Sequence, residues 1–167
     1  CSSEGYECKK ISIEKIKHFI SKDALNIDGL GKKVVEKFWD LNLINSPEDI
    51  FKLDYDKISN LDGWGKLSVS NLKFSIEKAK EVTLDRFIFS IGIRHIGIEN
   101  AKLIAEHTKT IQIFLDMINK KNINELLNID GIGETQIQSI EKFINNSENI
   151  NVINNLNKVL SIKKLQI

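Results

Sequence analysis

The apolar residues of this chain gather into stretches such as KKVVEKFWDL, KLSVSNLKFSIEKA, IENAKLIAEHT and ETQIQSIEKFI. Their spacing suits one face of a helix, and few segments alternate strictly enough to read as strands. Pro47 is the single proline, so long stretches run without a helix breaker. The pattern predicts an all-α fold. Each amphipathic stretch is preceded by a six-residue turn that nearly repeats: NIDGLG at 26–31, NLDGWG at 60–65, NIDGIG at 128–133, and a divergent GIRHIG at 92–97. Aligning the copies puts Asp28, Asp62, Arg94 and Asp130 in one column, at offsets of 34, 32 and 36 residues. A shorter apolar segment stands before each turn (HFISKDAL, DYDKIS, DRFIFS, INELL), so a unit of helix, tight turn and helix occurs four times.

The chemistry of the turn gives its recurrence a purpose. The first position is Asn26, Asn60, Gly92 or Asn128, residue types that tolerate the left-handed backbone at which a helix ends. In three copies two glycines flank one apolar residue: Gly29-Leu30-Gly31, Gly63-Trp64-Gly65 and Gly131-Ile132-Gly133. Glycine permits positive φ and presents no Cβ to an approaching ligand, while the apolar residue turns inward as a plug. Trp64 is therefore expected as mostly buried hairpin core and not as a wedge between bases. The next helix starts at the second glycine, so its first amides lack internal partners and lie at the positive end of the helix dipole. That is a phosphate site.

In the third copy His95 replaces the first glycine, and histidine is enriched among non-glycine residues at positive φ. Gly97 keeps the second glycine, where a β-branched residue is expected both to oppose positive φ and to block a phosphate. Arg94 adds a guanidinium able to meet a phosphate bidentately. Lys32, Lys33 and Lys66 follow the first two turns, whereas Glu134 follows the fourth. One Gly-x-Gly turn is well explained as a tight connection in a helical bundle; four at similar spacing point to a ligand. Ser46-Pro47-Glu48-Asp49 offers the cap, proline and acids of an ordinary helix start and reads as scaffold.

Composition bounds the reading without sharpening it. With 41% hydrophobic and 28% charged residues the chain has the balance of a soluble globular protein. No apolar run approaches the roughly 18 residues of a membrane span and no secretory leader pattern opens the chain, so a cytoplasmic protein with no membrane partner is expected. A net charge of +1 does not announce a nucleic-acid binder. Locally the balance shifts: residues 9–40 hold eight lysines against five acids, and the tail from Lys158 onward has no acid. The chain begins at Cys1 and its only methionine is Met117, so it reads as a piece of a longer protein.

The turns resemble the helix-hairpin-helix motif. Their order, with HFISKDALNIDGLG at 18–31 and FSIGIRHIGIENAKLIAEH at 89–107, is similar over essentially the whole chain to the helix-hairpin-helix domain of bacterial NAD-dependent DNA ligases. That family carries a similar HF.S..A..IDGLG after a zinc finger and GIRH.G...AK..A in its third hairpin. The resemblance implies that Cys1 and Cys8 are the last two of four zinc ligands, the other pair lying ahead of the chain, since a structural zinc takes four N or S ligands. Here Lys9-Lys10-Ile11 stands where the family often has Pro-Ala-Gln, and the spacing from Cys1 to Cys8 is long. By themselves the two cysteines read equally as reduced thiols, and a disulfide ranks last in a cytoplasmic protein. Cys8 is expected on or just before the helix that contains Ile16, Phe19 and Ile20, close to Cys1. The family's catalytic lysine lies in Lys-x-Asp-Gly, and Asn26, Asn60 and Asn128 occupy the place of that lysine in this chain. No catalytic residue is therefore expected here: NAD and Mg would bind a preceding domain, and a BRCT domain would follow.

The expected architecture is four tandem hairpins in two pseudo-twofold lobes, at 23–81 and 82–145. The end of the zinc finger and a connecting helix precede them at 1–22, and a C-terminal helix or linker follows at 146–167. Paired hairpins would grip the opposed strands of nicked duplex DNA across the minor groove without reading sequence, as a monomer, and position the ends for sealing. The DNA-binding residues expected are Gly29, Gly31, Lys32, Lys33, Gly63, Gly65, Lys66, Arg94, His95, Gly97, Gly131 and Gly133. Two rival readings are a helix-hairpin-helix module of another repair or recombination protein, and a helical protein-interaction domain whose glycine turns are purely structural.

Overall fold

The computed structural model describes residues 8–165. In chain order come α1 (Lys9–Ile20), α2 (Lys32–Asp40), a 3₁₀ helix (Pro47–Lys52), α3 (Tyr55–Ser59), α4 (Lys66–Ala79), β1 (Glu81–Thr83) and α5 (Leu84–Ser90). There follow α6 (Ile98–Thr108), α7 (Ile111–Asn119), a second 3₁₀ helix (Asn124–Asn128), α8 (Glu134–Ile144), α9 (Ser147–Val159) and β2 (Ser161–Lys163). The second helix of each repeat unit is α2, α4, α6 or α8, and the second glycine of the turn is its N-cap in extended backbone.

The first helices are less regular than the repeat suggests. α1 stops at Ile20, and the rest of HFISKDAL folds into tight turns: the Ser21 hydroxyl donates to the His18 carbonyl at 2.6 Å and the Leu25 amide to the Phe19 carbonyl at 3.1 Å. INELL winds as a 3₁₀ helix, because so short a segment forms few i→i+4 bonds to set against the cost of nucleating an α-helix. Ser46 and Asp49 form a capping box around Pro47 as expected, on a 3₁₀ helix.

The fold is mostly helical and not all-α. β1 and β2 pair in parallel with Val82 opposite Ile162, and the Ser161 amide donates to the Lys80 carbonyl at 2.7 Å. Three residues are too few to show alternation in sequence, and the pairing joins segments about 80 residues apart, which only the folded chain brings together.

Packing pairs the units. The first turn lies on α4, where the Asp28 amide donates to Ser75 Oγ at 2.8 Å, and the Trp64 ring of the second turn packs on Phe38 of α2, centroids 5.7 Å apart. The fourth turn lies on α6, close enough that a Cβ on Gly131 would stand 3.0 Å from Leu103 Cδ1. The two pairs also meet. Arg86 of α5 donates to the Lys22 and Ala24 carbonyls, each at 3.0 Å, and His18 Nε2–H of α1 donates to the Phe89 carbonyl at 2.6 Å. α9 packs on the 3₁₀ helix 47–52, where Asn155 Nδ2 donates to the buried Glu48 carboxylate at 3.2 Å. Phe19, Phe38, Phe87 and Phe114 are fully buried in the shared core, each stabilising the fold by about 1.5–3 kcal/mol through burial.

Candidate nucleic-acid interface

Each turn bends at the same position. Gly29, Gly63, His95 and Gly131 have φ of 93°, 84°, 66° and 101°, so His95 adopts the left-handed backbone expected of it, and its carbonyl accepts from Asn100 Nδ2 at 3.0 Å. At the first position the expectation holds for Asn26 (φ 54°) and Gly92 (φ 72°) only. Asn60 stays right-handed at φ −91° and closes its helix by side chain, Nδ2 donating to the Asp56 carbonyl at 3.0 Å, while Asn128 ends the second 3₁₀ helix. The plugs behave as read: Leu30, Ile96 and Ile132 are buried, and Trp64 is partly buried against Phe38.

The second glycine is open at three turns, where a Cβ on Gly31, Gly65 or Gly97 would meet nothing within 4 Å; at Gly133 it would meet Gln136 Oε1 at 3.5 Å. Gly97 has φ −86°, which corrects the expectation of positive φ there: as an N-cap it takes extended backbone, so a side chain would obstruct only an incoming ligand. The amides at these caps divide the turns into two kinds. The Gly65 amide donates to Ser68 Oγ and the Gly133 amide to Gln136 Oε1, both at 2.9 Å, whereas the Gly31 and Gly97 amides make no hydrogen bond among the described residues. The first and third turns thus present one more free donor than the second and fourth. The signal was in the sequence, because Ser68 and Gln136 sit at the third helical position where a capping side chain reaches back.

Lys32, Lys33, Lys66, Arg94 and His95 are exposed beside their turns, and so is Glu134. Gly92 packs near His18, whose ring lies 4.5 Å from Phe89, so α1 fixes the base of the third turn. Arg94 and His95 line a crevice of about 390 Å³ that also takes in Lys15 of α1 and Thr135, Ser139 and Lys142 of α8. Sequence reading missed these last four, which belong to other elements and carry no motif.

Cys8 is the N-cap of α1, at the start of the helix containing Ile16, Phe19 and Ile20, and Cys1 lies outside the described residues. The sulfur of Cys8 is in a disulfide, the state ranked last from sequence. No group of three or more His, Cys, Asp or Glu among the described residues is placed to hold a metal, so these residues do not by themselves fit a zinc site. No helix among them is long and apolar enough to cross a membrane.

Comparison with known proteins agrees with the turns. A family described as a SAM-like helix-hairpin-helix tandem matches residues 21–78, and one described as a helix-hairpin-helix motif matches 86–153. The chain is 63% identical over 163 residues to a DNA ligase of Pelagibacter ubique, and 43% identical over 171 residues to one of Rickettsia bellii. These alignments cover 98% and 95% of this chain but 24% and 25% of the ligases, so the chain spans about a quarter of the length of the curated relatives it matches. With glycine-capped turns on paired helical units, and with matches across most of its length, the chain belongs to the helix-hairpin-helix family, as a domain of the kind found in DNA ligases.

Proposed function

We propose that this chain is the duplex-holding part of an NAD-dependent DNA ligase, gripping minor-groove phosphates of nicked DNA without reading sequence so that the enzyme can seal nicks in replication and repair. The observation that carries this reading is the recurrence of four glycine-capped helix starts, three of them open to an approaching phosphate. Amides at a helix start bind an anion by geometry and are blind to base identity. With a net charge of +1, affinity has to come from a few organised contacts, in which Lys32, Lys33, Lys66 and Arg94 release counterions.

Adenylation, with its NAD and Mg, belongs to other parts of the enzyme. Asn26, Asn60 and Asn128 replace the lysine that adenylation needs, so the chain alone is inactive and contributes by holding the ends in line. In this reading Cys1 and Cys8 complete a zinc finger begun upstream, which requires both as thiolates and so the disulfide at Cys8 reduced, and the protein is a cytoplasmic monomer. Elemental analysis of the full-length protein checks the zinc. Fluorescence anisotropy of the full-length protein on nicked duplexes of unrelated sequence checks the grip. Equal affinities that fall with salt are expected, together with NAD-dependent sealing; a strong sequence preference, or no binding to duplex, would overturn the reading.

A further inference from the structure

Three of the four turns place an aspartate directly before a glycine: Asp28-Gly29, Asp62-Gly63 and Asp130-Gly131. All three aspartates are exposed, and all three glycines have positive φ. Asp-Gly is a dipeptide at which a chain readily rewrites its own backbone, because a residue with no Cβ leaves its amide nitrogen open to the preceding carboxyl carbon. The surroundings of the three copies differ. In the first, the Asp28 amide donates to Ser75 Oγ at 2.8 Å and Gly29 lies on Leu72, whose Cδ1 would stand 3.5 Å from a Cβ there. In the fourth, Gly131 lies closer still to Leu103, and the plug Ile132 is buried. The second has neither brace. A Cβ on Gly63 would meet nothing within 4 Å, the Asp62 amide makes no hydrogen bond among the described residues, and the plug Trp64 is only partly buried. Its bend is closed by the Trp64 amide donating to the Leu61 carbonyl at 3.1 Å, and the helix before it, α3, has five residues.

We propose that Asp62-Gly63 is a site of spontaneous isoaspartate formation, and that the fold protects Asp28-Gly29 and Asp130-Gly131 from the same reaction. The Gly63 amide nitrogen gives up its proton and attacks Asp62 Cγ. The N–Cγ bond forms, the Cγ–OH bond of the protonated carboxyl breaks, and water leaves a succinimide ring. A second water opens the ring. Attack at Cγ restores aspartate, whereas attack at the main-chain carbonyl carbon leaves the chain running through Cβ and Cγ with the α-carboxylate free. No oxidant, metal or ligand takes part, so this chemistry stands apart from the DNA-holding reading. Closing the ring requires the bend to leave its folded backbone, and local opening is easiest where packing and hydrogen bonds are fewest. The product lengthens the bend by one methylene ahead of the Gly65 cap and spoils its closure between Leu61 and Trp64. The third turn has Arg94-His95 and cannot react in this way.

The test incubates the full-length protein, folded or in denaturant, in heavy-oxygen water. Proteolysis and electron-transfer tandem mass spectrometry, which separates isoaspartate from aspartate, then read the three sites. In denaturant the three should convert at similar rates, since glycine follows each aspartate. In the folded protein Asp62 should convert about fivefold faster than Asp28, the factor that one net hydrogen bond contributes, and Asp130 should also lag. Each converted peptide should gain one heavy oxygen, the mark of a succinimide opened by water. Ser75→Ala should raise conversion at Asp28 several-fold, toward the Asp62 rate, and leave Asp62 unchanged. Asp62→Glu, which would need a larger ring, should stop conversion at that site, with circular dichroism confirming the fold. Equal rates at the three sites in the folded protein overturn the proposal, as does conversion led by Asp28 or Asp130. So does an Asp62 that stays intact while the denatured chain converts, because the second turn is then held as firmly as the others.

Discussion

The two pairs of units are built alike and differ in charge. Asp28 and Arg94 occupy the same place in the repeat, as do Gly29 and His95, and each pair leaves a crevice between an odd-numbered turn and the last helix of the pair. In one the column residue is an acid and no cation is among the described lining residues; in the other it is an arginine beside Lys15 and Lys142. Geometry that is common to both pairs therefore belongs to the fold and to backbone contacts, which any copy can supply. What differs between them belongs to side chains, and points to unequal work on the ligand.

Comparing equivalent positions across the pairs tests this division. The largest effect expected is Trp64→Ala, at about 3 kcal/mol in chemical denaturation, matched by about 2–4 kcal/mol for Ile132→Ala, since both plug their turns. A loss under about 1 kcal/mol for Trp64→Ala, accompanied by weaker DNA binding, would make Trp64 a ligand contact in place of a plug. Next come Gly63→Ala and Gly131→Ala. Both force a Cβ onto positive φ, but only the second also meets Leu103 at 3.0 Å. The expected losses are about 1 and about 2–3 kcal/mol. Equal losses would mean that Leu103 yields freely.

Charge variants read the ligand side. Arg94→Ala should lower the salt slope by about 0.9 and weaken all duplexes alike, and Asp28→Arg should raise the slope in the first pair by a similar amount. If Asp28→Arg changes nothing, the first pair does not approach phosphate. Gly31→Val and Gly97→Val sharpen the point further, because both glycines have negative φ and open surroundings, so stability should hold while affinity falls with the slope nearly intact. A loss at Gly97 alone would confine backbone binding to the second pair. The smallest effect expected is a modest tightening by Glu134→Lys, visible in the same anisotropy titration.

Much of this was legible in the sequence because the signals are local. A glycine or histidine that must take positive φ, an apolar plug between turn residues, and a helix opening after the second glycine are all decided within six residues, which is why the four units can be found by alignment. The third-position caps Ser68 and Gln136 were equally local and simply not read. Other features escaped the repeat alignment, or depended on neighbours far along the chain. Asn60 shares a column with Asn26 yet stays right-handed, since its side chain bonds the Asp56 carbonyl. β1 and β2 are each three residues long and exist only as a pair.

The sequence by itself determined the repeat, the backbone conformation at the bend of each turn and the four helix starts, because each follows from sterics and capping among adjacent residues. Only the tertiary structure decided which units face each other, that α1 braces the third turn through His18, and that Lys15 and Lys142 reach the crevice of Arg94. Those relations join residues 26 or more positions apart. They are chosen by how apolar faces close over a shared core, which no local pattern encodes.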